Sequence, residues 1–92
     1  MLFDLIKNIA AGNEGSDGFI AVHEDVLKAM VLVKKKKELK VDIKAKDLGG
    51  ALYQINVKAL CEIAKAVNDD DRNLFESISL VSLNDLIKSK EQ

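Results

Sequence analysis

Lysine is the residue type whose placement in this chain most invites a chemical reading. Seven of the fourteen basic residues fall between Lys34 and Lys46, in the run KKKKELKVDIKAK. That segment carries seven positive and two negative charges, a local +5, in a chain of net charge -1, so the rest of the molecule totals -6. A concentrated basic strip is the electrostatic footprint of a polyanion partner, because each phosphate it neutralises releases a condensed counterion. The chemistry it predicts is binding rather than catalysis. Lys34, Lys35, Lys36, Lys37, Lys40 and Lys44 are its members on charge alone.

Other residues with reactive side chains have plainer readings. His23 stands beside Glu24 and Asp25, but no recognisable motif places a nucleophile near it, and it reads as a solvated residue in the first turn of a helix. Asp69, Asp71 and Asn73 have the spacing of an EF-hand's first ligands, yet its glycine and glutamate positions hold Leu74 and Leu80. Those aspartates read as a helix-capping turn. Cys61, the single cysteine, excludes an internal disulfide, and with His23 as the single histidine it builds no zinc site. The glycine-rich stretch at 12–18 is followed by Phe19 rather than the lysine of a phosphate loop, so it reads as a flexible connection. No enzymatic activity, metal or cofactor is expected. Aromatic stacking is not the expected mode of nucleic-acid binding either, because Tyr53 is the sole aromatic residue between Phe19 and Phe75.

The elements that must position the lysines are predicted from periodicity. Leu2, Phe3, Leu5, Ile6, Ile9 and Ala10 predict a short amphipathic helix ending near Gly12. From Glu24 to Leu48 the chain lacks Gly and Pro, then meets Gly49 and Gly50, so one long helix is favoured. Leu27, Lys34, Val41 and Leu48, with Val31, Glu38 and Ala45, would form its partly polar heptad seam. A contrary signal stands beside it: Leu39, Val41, Ile43 and Ala45 alternate with Lys40, Asp42, Lys44 and Lys46, which is the period of a strand and makes a hairpin over 29–46 the alternative. Asn56 then caps a helix whose stripe is Val57, Leu60, Ile63, Ala64 and Val67, and a last helix follows the aspartates, with Leu74, Ile78, Val81, Leu86 and Ile87 on its apolar side and a kink or short strand near 78–83 as the alternative, because Ser, Val and Ile weaken helix propensity there.

The segment AKDLGGALYQINVKALCEIAKAVNDDDRNLFE, residues 45–76, resembles the small double-stranded-DNA-binding proteins of T-even-like phages and, more distantly, GapR-like nucleoid proteins. The likeness is carried by Ala45, Lys46 and Asp47, by Asn56, Val57, Lys58 and Leu60, and by Asp71, Arg72, Phe75 and Glu76. It implies an all-helical dimer or tetramer that grips duplex DNA through lysines, with Lys46 and Lys58 at DNA-facing positions.

Ninety-two residues make one small domain, 48% apolar, with an aliphatic core expected because Trp is absent and aromatic residues are few. The single cysteine and the charges interrupting the first apolar stretch predict a cytoplasmic protein, with membrane attachment disfavoured. The expectation is thus an all-α homo-oligomer, held together by Leu60, Ile63, Val67, Leu74 and Ile78, that binds duplex DNA with little sequence specificity. The alternative is a phage- or plasmid-type interaction module or inhibitor acting on a protein partner through its acidic C-terminal half.

Overall fold

The computed structural model describes residues 2–76 and 78–86. The order of elements is α1 (Leu2–Gly12), β1 (Phe19–His23), α2 (Glu24–Lys36), β2 (Lys46–Gly49), β3 (Leu52–Asn56) and α3 (Val57–Ala66), followed by 3₁₀ segments at Asp69–Phe75 and Ile78–Leu80. The strands form one antiparallel sheet in the order β1-β3-β2. The expected all-α fold is therefore corrected to a mixed α/β one, and the hairpin lies at 46–56, not at 29–46.

Two physical features end α2 at Lys36. Continued to Leu48, the helix would stack Lys36, Lys40 and Lys44 four residues apart on one face, each pair repulsive, and would turn Leu39 and Ile43 away from Val41. Extended backbone over 39–45 instead lets Leu39, Val41 and Ile43 all pack against the core while Lys40, Asp42 and Lys44 face water. The break itself is a Schellman turn: Lys37 N–H donates to the Val33 carbonyl, Leu39 N–H donates to that of Lys34, and Glu38 between them has φ 52°. Lys34, Lys35 and Lys36 thus occupy the last turn, where cations suit the negative end of the helix dipole. The heptad seam ends there too.

Gly49 and Gly50 close no helix. Gly50 and Ala51, with φ 60° and 65°, make the two-residue connection of the β2–β3 hairpin, as a type I′ turn requires. Leu48 is bulged out of register between the pairs Asp47–Tyr53 and Gly49–Leu52. Ala51 is the one turn residue whose Cβ opposes its conformation, so Ala51→Gly should raise stability by about 0.5–1 kcal/mol. A denaturant midpoint unchanged or lowered by that substitution would contradict the turn.

The core lies between the sheet and the three helices. Strand β1 runs directly into α2 and β3 directly into α3, and positions thirty-three apart in the two units are buried alike: Val22 and Ile55, Val26 and Ala59, Leu27 and Leu60, Met30 and Ile63. Helix α3 buries the predicted stripe. Helix α1 packs on α2 and α3, burying Phe3 and Ile6. Lys7 fastens it by donating to the Ala64 and Val67 carbonyls at 2.7 and 2.6 Å, at the C-terminal end of α3. The inner side of α1 thus faces the core, while Leu5 stays exposed. No helix among the described residues is long and apolar enough to cross a membrane.

The last helix of the sequence reading is instead the two 3₁₀ segments and a helical turn at 83–86, started by Asp85 N–H donating to Ser82 Oγ. Serines and β-branched residues lower helix propensity in this stretch, and Phe75 and Ile78 anchor it to the core. Ile87 lies outside the described residues. Leu60, Ile63, Val67 and Ile78, expected to hold an oligomer together, are all buried within the single chain, and Leu74 is half-buried.

Candidate functional site

The lysine strip bends through three settings: the last turn of α2, the extended segment ahead of β2, and the first turn of α3. Its backbone course is pinned by Asn56. This residue occupies the N-cap position of α3, but its side chain makes no cap bond. It reaches across to the extended segment, where Nδ2 donates to the Asp42 carbonyl and Oδ1 accepts from Lys44 N–H, both at 2.9 Å. One amide thus replaces the ladder bonds that β2 would make if it continued backward along β3.

Asn56→Ala should cost about 1–2 kcal/mol and loosen residues 40–46, read as faster amide exchange at Lys44. Asn56→Asp keeps an acceptor for Lys44 but sets a carboxylate against the Asp42 carbonyl, so it should rescue little. Equal protection at Lys44 in all three proteins would refute the pin.

The eight predicted site lysines separate into groups. Lys36, Lys40, Lys44, Lys46 and Lys58 are exposed, and among the described residues none of them enters an ion pair. Lys40, Lys44 and Lys46 follow one another along the segment that leads into β2. Lys34 and Lys35 line an apolar groove of about 520 Å³, floored by Leu27, Val31, Leu39 and Ile43. Lys37 is half-buried and bound to Asp71 at 2.8 Å. Lys28, six residues before the strip, is buried beside Glu24 and Asp25, with its ammonium 3.6 Å from each carboxylate.

Asp71 has an internal task. It accepts from Asn68 N–H at 2.7 Å, and that bond first, then Lys37, holds its carboxyl below the usual carboxylate range. A lowered pKa in the folded state contributes stability that is complete above the usual carboxylate value and is lost as pH falls through the folded one. Asp71→Asn should therefore melt several degrees below the parent at pH 7, and the gap should narrow below about pH 4. A gap independent of pH would show that the charge is irrelevant. Asp69 and Asp70 remain exposed, so the acidic alternative retains two of its three carboxylates.

Three further titratable groups have partners within the fold. His23 caps α2, its Nδ1 accepting from Asp25 N–H at 3.1 Å. Cys61 directs its thiol to the Ala10 carbonyl at 3.6 Å. The Tyr53 phenol is raised above its ordinary pKa, by partial burial first and then by the Asp47 and Glu24 carboxylates. Among the described residues no group of three or more His, Cys, Asp or Glu is placed to hold a metal ion. Set against models of known protein families, characterised proteins and solved structures, the chain matches none.

Sequence reasoning missed two participants. Asn56 was legible only as a helix cap, because its partners at 42 and 44 lie twelve to fourteen residues upstream. Phe19 borders the glycine-rich connection and carries no signal of exposure, yet it lies on the open side of the sheet, 53% exposed.

Proposed function

We propose that the chain is a non-enzymatic DNA-binding protein that grips the phosphate backbone with little base readout. The observation that carries this reading is the exposure of Lys36, Lys40, Lys44, Lys46 and Lys58, outside every ion pair among the described residues, along one course held by Asn56. Against their five positive charges, the same course exposes Glu38, Asp42 and Asp47, a balance of +2. Duplex DNA is the ligand that such lysines alone would select, since it has the highest density of phosphate charge.

Lysine is also the common guard of an exposed sheet edge, and β2 is such an edge. The two roles differ in salt dependence. Five phosphate contacts give a log-log salt slope of about -4 to -5, and affinity for a labelled 30-base-pair duplex should fall about 500-fold between 50 and 200 mM salt. Edge protection alone gives no binding. Fluorescence anisotropy across that salt range is the test, and the absence of binding at low salt would end the proposal.

A further inference from the structure

The sheet has a second surface that the lysine strip does not account for. Ile20, Val22, Tyr53 and Ile55 point to the core, so the alternate residues occupy the opposite face. There Phe19 stands opposite Asn56, Ala21 opposite Gln54, and Gln54 opposite Lys46. Asn56 in turn holds the backbone of Lys44. The Phe19 ring and the Lys44 and Lys46 ammonium groups therefore belong to one surface, with β1 and β2 separated by two strand spacings, about 10 Å. A lysine stem can span much of that distance. His23 and Leu52 complete the face, and none of the β1 and β3 positions on it is Asp or Glu.

We propose that this open face binds single-stranded nucleic acid, with an unpaired base stacked on Phe19 and the neighbouring phosphates neutralised by Lys44 and Lys46. The proposal rests on the phosphate-binding reading above and extends its ligand from duplex to single strand. In a duplex each base face is closed by the next base pair, so only an unpaired base can cover the ring. A second copy of the chain fits the face poorly. A two-fold interface sets the same patch against itself, and this patch would bring Lys44 and Lys46 of both copies together with Asp42 as the single carboxylate beside them on that side of the chain, leaving net positive charge on each copy. A polyanion supplies the missing charge.

The experiment compares a labelled 15-nucleotide oligo-dT with a 15-base-pair duplex by anisotropy at equal salt. Parent protein, Phe19→Ala, Phe19→Trp and the Lys44→Gln/Lys46→Gln double variant are measured, with sedimentation velocity alongside. Contact with phosphates alone would favour the duplex, which has the higher charge density. Stacking makes the single strand bind at least as tightly. Phe19→Ala should then lose about 5- to 100-fold on the single strand and nothing on the duplex, Phe19→Trp should retain affinity, and the double lysine variant should weaken both.

Unchanged single-strand affinity in Phe19→Ala, with lysine-dependent duplex binding intact, overturns this inference and leaves the phosphate-binding reading standing. A dimer in the parent that Phe19→Ala dissolves overturns it in favour of a self-interface. No binding of either nucleic acid at low salt overturns both readings.

Discussion

Replacing Lys40, Lys44, Lys46 and Lys58 together by Gln should lower duplex affinity on the order of 10³-fold at 0.1 M salt, and should reduce the salt slope from about -4.5 to about -1. Each lysine that leaves a phosphate removes about 0.9 from the slope, and of the five assigned contacts only Lys36 is left in place. All four side chains are exposed and lie outside the ion pairs of the described residues, so the fold should survive and far-ultraviolet circular dichroism should be unchanged. Lys37→Gln is the informative contrast. It breaks the bond to Asp71, so it should lower the melting temperature while moving affinity little. If it instead weakens DNA binding as much as Lys44→Gln does, the ion pair opens on binding and the assignment of lysines must change. Asp69→Asn with Asp70→Asn separates the protein-partner alternative, since it should leave DNA affinity intact or slightly raised.

Leu60→Ala should be the most damaging single substitution for stability. Leu60 is fully buried on the inner side of α3 among residues of the sheet and the other helices, so truncation leaves a cavity in a close-packed interior. The expected cost is about 3–5 kcal/mol. A domain of this size has roughly 5–14 kcal/mol in all, so the melting point should drop by about 15–25 °C. The loss should not depend on protein concentration, because the leucine packs against its own chain. A melting temperature that rises with concentration in the parent, and ceases to do so in Leu60→Ala, would restore the view that α3 holds an oligomer together.

Burial explains why the apolar stripes of α1 and α3 were legible while their partners were not. Val57, Leu60, Ile63, Ala64 and Val67 repeat with the helical period, and period alone says that one side is hidden. Whether a second copy or a sheet hides it depends on distant segments. Here α3 packs on α1, α2 and β3, and β3 has only five residues, too few for alternation to stand out. The glycine pair at 49 and 50 misled for a related reason: positive φ ends helices and also turns hairpins. The alternation over 39–45 matches alternating burial rather than a strand, and its partners are core side chains and the Asn56 amide rather than a neighbouring hairpin arm.

What the sequence by itself determined is local. The segregation of charge follows from counting lysines. The helices at either end of the sheet, and the acidic capping turn before Phe75, follow from periods and caps that act within one or two turns of chain. Tertiary structure alone decided which charges remain available. Lys37 is taken up by Asp71, thirty-four positions away, Lys28 is enclosed, and Phe19 comes to share a surface with lysines about twenty-five positions further on. Those outcomes depend on which segments pair across the sheet. Pairing energies come from burial and hydrogen bonds between distant residues, and no local pattern encodes them.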